Sequence, residues 1–580
     1  MKVATVDFNK GMFQIRCPYW DNGRVKTIPS AKWIKSSRSW EAPAIVPTAR
    51  EIISQYDQEE ITSAAKVAIS KINDKVEKSK NEFPLDHQWP SDPPRPHQLK
   101  ALNRAWGKKY FYFAHAMRAG KSYTAIQWAS ALAARGEINA VLIIPPSAVG
   151  PVWIGSDGQL AKFMTLPHSS HMLRSGQHRK FLDWDAVHRG EGQGPMPCLV
   201  IGVEAFSQGN AFKYANHFMK DRKVMVIIDE SVSIKNHKSM RTRRVTDICG
   251  SAAYIALLNG TPVTQGVQDL YSQFYAMNWS IIGVPNYYSF KNRYLVEREI
   301  IIKHGPSSGR SFRTIEGYKN TNELFDLIGP YIDIVTKKQA MPNLPDAVFE
   351  TRYIEPSKEQ RQHIASLKDI FAIETDSGIL EVETVLERLL RYQQIAGGFL
   401  PIPIGKDDNG DEQYEIKPLN KNPKLDGLLN VIEQIGRDSK TIIWARFRPE
   451  LSIIKDHLVS NFGEGCCVEY HGGVNSPEER AEAIRRFHKD DNCQFFLSNA
   501  QTGGRGLPLQ NADSMIYYSN TFSYNDREQS LARGDDNNRS RGILVVDLVL
   551  DHEVDKMIIE ALATKQSIST FVTTKLAERG

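Results

Sequence analysis

No run in the 580 residues approaches the ~20 consecutive apolar positions of a membrane-spanning helix. The first residues, Met1-Lys2-Val3-Ala4-Thr5-Val6-Asp7, lack the apolar core of a secretory signal. Cysteine is scarce: Cys17, Cys198, Cys249, Cys466, Cys467 and Cys493 form no C-x-x-C pair and no zinc-like spacing. Internal repeats and long low-complexity tracts are absent as well. These absences argue against a membrane protein, a disulfide scaffold and a structural zinc site. They predict buried thiols in a reducing, cytoplasmic compartment. No glycosidase, protease or metal constellation stands out, and His168, His171, His178 and His188 fall in polar, loop-like sequence that predicts solvated rings.

With 41% hydrophobic and 24% charged residues, the chain has an ordinary globular composition, and its length suggests three or four domains. The net charge of +6 is uneven. Residues 1–50 hold nine Lys/Arg against Asp7, Asp21 and Glu41, an excess equal to that of the whole chain. A basic, aromatic-rich first module suits a polyanion.

The most informative stretch is Ala116-Met117-Arg118-Ala119-Gly120-Lys121-Ser122. The aromatic, β-prone run 110–114 precedes it, and apolar residues at helical spacing follow it. Strand, tight loop and helix N-terminus is the context of a phosphate-binding loop. Backbone N–H groups and the helix dipole meet the phosphates, Lys121 adds a charge and the Ser122 hydroxyl ligates Mg2+. The full pattern G-x-x-x-x-G-K-[ST] is not met, because His115 stands where the first glycine belongs.

Taken in order, residues 3–45 read as short strands, with Asp21-Asn22-Gly23 as a hairpin turn before Val25-Lys26-Thr27-Ile28. Residues 59–80 have helical apolar spacing, and the prolines at 84, 90, 93, 94 and 96 mark a linker. Strand-like and helix-like runs then alternate, the pattern of an α/β fold with parallel sheets. The run 223–228 ends in Asp229-Glu230, and in parallel sheets ligands bind beyond the C-terminal strand ends. There Asp229 would hold Mg2+ and Glu230 would polarise the attacking water.

Those motifs, with Gln98, Asn259-Gly260-Thr261-Pro262 and Ile234-Lys235-Asn236, resemble helicase superfamily 2 and within it the Swi/Snf-type ATPases. Met117-Arg118-Ala119-Gly120-Lys121 resembles the compact bacterial and phage members. The second half agrees: Pro423-Lys424, Tyr470-His471-Gly472-Gly473, Arg480, the run 497–509 and Gln529 with Arg533 match later family blocks. Residues 29–41 resemble the small HARP-type module found beside strand-annealing motors.

The resemblance implies two RecA-like parallel-sheet lobes and a small N-terminal β-rich (α+β) domain. Its divisions are a DNA-structure module at 1–83, a linker at 84–97, a first lobe at 98–275, a connector at 276–350, a second lobe at 351–548 and a brace helix at 549–580. It implies ATP and Mg2+ as cofactors and DNA as partner, as duplex, fork or junction, for a monomer in a bacterial or phage-infected cell. Gln98 would read adenine, residues 117–122 with Gly504 and Gly506 would hold the nucleotide, and Lys235, Arg241, Arg480 and Arg505 would contact DNA. Trp33 and Trp40 suit either stacking on unpaired bases or a small β-core.

Two departures stand out. Val232 replaces the usual histidine, and Asp536 stands where a second arginine is usual, so the arginine finger falls to Arg533, Arg539 or Arg541. The implied activity is a double-stranded DNA translocase. A strand-separating helicase and a DNA-binding scaffold with a degenerate motor are the alternatives.

Overall fold

A computed structural model describes residues 4–577, apart from 10, 29, 78–81, 190–193, 302–310, 370–371, 376–377, 382–384, 407–411, 437–438, 475, 504–506, 508, 536–538 and 540. Two compact units emerge, residues 1–340 with 568–580, and residues 341–567.

The first unit begins with an antiparallel sheet of β1 (Thr5–Asn9), β2 (Met12–Arg16), β3 (Lys32–Ile34) and β4 (Ser39–Pro43), in the order β1-β2-β4-β3. Helices Val46–Gln55 and Ser63–Glu77 complete a core around Val6, Phe13, Ile15, Ala42 and Ile52. The expected hairpin at Asp21-Asn22-Gly23 is not formed; Asn22–Thr27 is a helix. The reason is tertiary. Arg24 pairs with Asp21 at 2.7 Å and Glu60 at 2.9 Å and donates to the Gln55 carbonyl at 2.7 Å. Both carboxylates are buried, so a geometry that satisfies them outweighs the local turn preference.

The main sheet of this unit is parallel and seven-stranded. Its strands are β5 (Tyr110–His115), β6 (Ala140–Ile144), β7 (His168–Met172), β8 (Met196–Val200), β9 (Val224–Asp229) and β10 (Tyr254–Leu258). After a hairpin of β11 (Leu295–Ile301) and β12 (Ser311–Tyr318), β13 (Ile332–Val335) returns as its edge strand, giving the order β13-β5-β10-β9-β6-β8-β7. Successive side chains alternate between two cores. Tyr112, Leu142 and Val226 face one, and Phe113, Ile143 and Ile227 face the other. Burial on both faces explains why these strands read as unbroken apolar runs. The proline-rich stretch is packed onto this sheet: Phe83 lies in its core beside Trp89 and Trp106, and Tyr123 donates to the Asp92 carbonyl at 2.9 Å. Val572 and Leu576 of the helix Glu553–Ala577 are buried in the other core.

The second unit carries a six-stranded parallel sheet built from β14 (Val348–Ile354) and, after the hairpins β15 (Ala372–Thr375)–β16 (Gly378–Glu381) and β17 (Phe399–Lys406)–β18 (Glu412–Pro418), five further strands. These are β19 (Thr441–Trp444), β20 (Cys467–Tyr470), β21 (Phe495–Ser498), β22 (Ser514–Tyr517) and β23 (Leu544–Leu550), in the order β14-β23-β22-β19-β21-β20. The two parallel lobes expected of the fold are therefore there.

Within this unit Glu450 is fully buried, and its Oε2 accepts the Phe447 N–H at 2.9 Å and the Ser519 hydroxyl at 2.6 Å. Burial pushes its carboxyl up to about 6. A folded-state value above the unfolded one favours folding below the unfolded value and loses that advantage as pH rises. The second unit should therefore lose about 2 kcal/mol from this group between pH 4 and 7. Urea unfolding of wild type and Glu450→Gln across that range should show a stability difference that changes with pH; a constant difference contradicts this.

Candidate nucleotide site

β5 ends at His115, and the chain turns through residues 116–120 into the helix Lys121–Ala134. The turn requires left-handed backbone at Arg118, with φ of +63°, and at the helix cap Gly120, with φ of +84°. The backbone there favours glycine, and a Cβ on Gly120 would stand 2.1 Å from Gln98 Nε2 and so displace the Gln98 amide. Gln98 Nε2 donates to the Ala119 carbonyl at 3.2 Å, and Gln98 Oε1 accepts the Arg95 N–H at 2.8 Å. His97 Nε2 donates to the same Ala119 carbonyl at 2.9 Å. Gln98, assigned to adenine by resemblance, is thus also a fastening of the loop. Lys121 and Ser122 open the helix, where first-turn N–H groups have no carbonyl one turn behind them.

Asp229 closes β9, separated from β5 by β10 alone. Its Oδ2 accepts the Trp153 indole N–H at 3.1 Å and its Oδ1 the Glu230 N–H at 3.0 Å. Burial and the adjacent Glu230 charge push Asp229 up to about 6, and the Lys121 ammonium opposes them. Glu230 holds a left-handed φ of +50°, a conformation that costs a non-glycine residue about 1–3 kcal/mol and is kept where function needs it. Between the two, Gly260 follows β10 with its Cα hydrogen toward the loop; a Cβ there would lie 3.3 Å from Met117 Cγ.

Beneath this rim the Ser231 and Tyr112 hydroxyls each donate to Gln273 Oε1 at 2.7 Å. The Gln273 amide donates to the Pro262 and Asp269 carbonyls at 2.9 and 2.8 Å. One buried glutamine therefore joins β5, the acidic loop and the Thr261-Pro262 turn. The whole set fits a triphosphate with a divalent ion: a loop closed by a left-handed glycine, a lysine, a hydroxyl at a helix N-terminus and two adjacent carboxylates.

The SNF2-related domain matches residues 97–396, and the helicase conserved C-terminal domain matches residues 421–535. The chain belongs to the SNF2 family. It is 22% identical over 481 residues to Protein CHROMATIN REMODELING 4 of Arabidopsis thaliana, covering 81% of this chain and 20% of that one. It is 23% identical over 450 residues to the DNA repair and recombination protein RDH54 of Saccharomyces cerevisiae, covering 75% and 44%. The chain thus spans less than half the length of these SNF2-family relatives. Among solved structures, the Sulfolobus solfataricus SWI2/SNF2 ATPase core in complex with dsDNA is similar at 19% identity and a TM-score of 0.36, covering 85% of this chain and 98% of that one.

The other residues singled out from the SNF2 motifs have these partners within the chain. Lys235 is committed within its lobe, donating to Thr264 Oγ1 at 2.6 Å with Asp269 at 4.0 Å. Arg241 Nε donates to Ser207 Oγ at 3.1 Å, and Arg480 Nε to the Val474 carbonyl at 2.7 Å. Val232 is buried. Trp33 is half-exposed and meets Trp40 edge-on at 5.9 Å, while the Trp40 indole donates to Asn22 Oδ1 at 3.2 Å. In the second unit Arg533 donates to the Gln529 and Leu507 carbonyls and Arg539 to those of Gln510 and Ala512. Gly504, Arg505, Gly506 and Asp536 lie outside the described residues.

The histidines expected in solvent are packed instead: His171 stacks on Trp184 at 5.2 Å and His178 on Tyr214 at 4.6 Å, because β7 and the helix His178–Val187 enclose an aromatic cluster.

Sequence reasoning missed Trp153. It is buried, and it orients the carboxylate expected to hold the metal. Trp153→Phe keeps the bulk and removes the donor. ATP turnover at saturation should fall about tenfold while the melting temperature moves little; unchanged turnover contradicts a role for the indole.

Proposed function

We propose that the chain is an ATP-driven translocase on double-stranded DNA that remodels or reanneals forks, bubbles or branched DNA. The observation that carries this reading is the phosphate loop and the Asp229-Glu230 pair on one strand-end rim of a SNF2-family lobe. Bound Mg2+ would supply neutralisation of the phosphate charge. Gly120, Lys121 and Ser122 would hold the phosphates, and the Ser122 hydroxyl and the Asp229 carboxylate would hold the ion. Glu230 would orient a water and take its proton.

DNA as the track is supported by the relatives' names, two of which concern chromatin remodeling and DNA repair. The N-terminal module supports a preference for unpaired or branched DNA. Tyr19 is 91% exposed, Trp20 73% and Trp33 49%, with Lys26, Lys32, Lys35 and Arg38 exposed in the same module. Aromatic faces among cations suit stacking on unpaired bases beside a phosphate backbone.

Steady-state hydrolysis by wild type, Glu230→Gln and a Tyr19→Ala/Trp20→Ala/Trp33→Ala variant tests this, with no nucleic acid, single strand, duplex, fork or RNA. Wild type should be stimulated most by the fork and next by duplex. Glu230→Gln should be silent, and the triple variant should lose the excess of fork over duplex. Absence of turnover on every substrate, with ATP and DNA still bound, would replace the translocase with a scaffold.

A further inference from the structure

His115 fills the position at which a phosphate loop ordinarily opens with glycine. Its ring is fully buried at the end of β5, with Nε2 3.0 Å from Asp333 Oδ2 on β13. The other oxygen of Asp333 accepts from Arg104 at 2.6 Å, and Arg104 also donates to the Gly329 carbonyl at 2.9 Å. Against the cost of burial, the His115 N–H and the Arg104 guanidinium hold the Asp333 carboxyl below the usual carboxylate range. An ionised carboxylate only accepts, so the ring proton sits on Nε2. Nδ1 has no hydrogen-bond partner among the described residues, which leaves Asp333 as the ring's polar anchor.

The helix that supplies Arg104 is the ten-residue helix Pro96–Ala105, and the same helix presents His97 and Gln98 to the Ala119 carbonyl. It therefore grips the phosphate loop at both ends. From Ala119 the path runs through Gln98, along one helix to Arg104, across Asp333 to His115, and back through residues 116–118. A backbone bond from the Ala116 N–H to the Val335 carbonyl, 2.8 Å, ties the same root to β13. The closed ring encloses the strained left-handed residue Arg118.

We propose that Asp333 is a positioning residue for the ATP site, which with His115 and Arg104 clamps the root of the phosphate loop in its phosphate-binding shape. The clamp takes the place of the opening glycine, and it rests on the reading of this loop as an ATP site. The fold contains its own control. Asp185 is likewise a buried aspartate held by basic side chains, Arg189 at 2.7 Å, Arg222 at 2.5 Å and His217 at 3.2 Å, but in the helix His178–Val187 beside β7, at the opposite edge of the sheet from β13. It is a buried carboxylate held by an arginine and a histidine as Asp333 is, with a second arginine besides, and among the described residues its ion pairs reach no residue of the phosphate loop.

The test is Mg2+·ATP affinity by calorimetry, with melting temperature alongside, for wild type, Asp333→Asn and Asp185→Asn. Both substitutions should lower the melting temperature, and only Asp333→Asn should weaken ATP binding, by about tenfold. His115→Gln, which can still donate to Asp333, should keep affinity within about threefold, and His115→Leu should lose as much as Asp333→Asn. The histidine pair decides the matter if Asp333→Asn does not fold. Wild-type affinity in Asp333→Asn, or equal losses in the two aspartate variants, overturns the proposal. A wild-type chain that binds no ATP overturns the ATP reading itself, and the clamp with it.

Discussion

The wedge of the left-handed Gly120 against the Gln98 amide governs the geometry of the first lobe. Helix Lys121–Ala134 can start where it does because the residue before it adopts φ of +84° and carries no Cβ. That start places Lys121 and Ser122 in the first turn of the helix, at the end of β5. Gln98, which prevents any side chain there, is fixed in turn by Arg95 and Ala119. Gly120 and Gln98 thereby restrict one another.

Below the rim, the parallel sheet does the placing. Strands buried on both faces cannot slip by one residue without exchanging two cores. The fixed register carries Asp229 opposite Leu258 of β10, with β5 on the far side of that strand. The chemistry needs a phosphate cradle and a carboxylate pair on one rim, and the ends of β5, β10 and β9, neighbours in the sheet, place the loop and Asp229 on the same edge. Several of the polar groups buried beneath the rim are satisfied in sets, with Gln273 serving Ser231 and Tyr112, and Trp153 serving Asp229. That satisfaction keeps the cost of burying them low.

Much of this was legible in the sequence because it depends on local signals. Apolar runs such as 141–144 and 224–228 are the mark of doubly covered parallel strands, and Gly-Lys-Ser after an aromatic strand marks a phosphate loop. What escaped depends on partners distant in the chain. β13 reads as Ile-Asp-Ile-Val, and its aspartate counts against a buried strand until Arg104 and His115, more than two hundred residues earlier, are seen to pair with it. The helix at Asn22–Thr27 needs Glu60, and Trp153 gains its role from an aspartate 76 residues later. The packed histidines follow the same rule, because the sequence around them is polar while the aromatic rings they stack on come from elsewhere in the chain.

The most direct test of the account is equilibrium binding of Mg2+·ATP to Gly120→Ala, with circular dichroism and melting followed in parallel. One methyl group placed against Gln98 in a left-handed turn should abolish measurable ATP binding and leave both sheets folded. A folded Gly120→Ala that binds ATP as tightly as wild type would mean that this loop is not where the nucleotide is held.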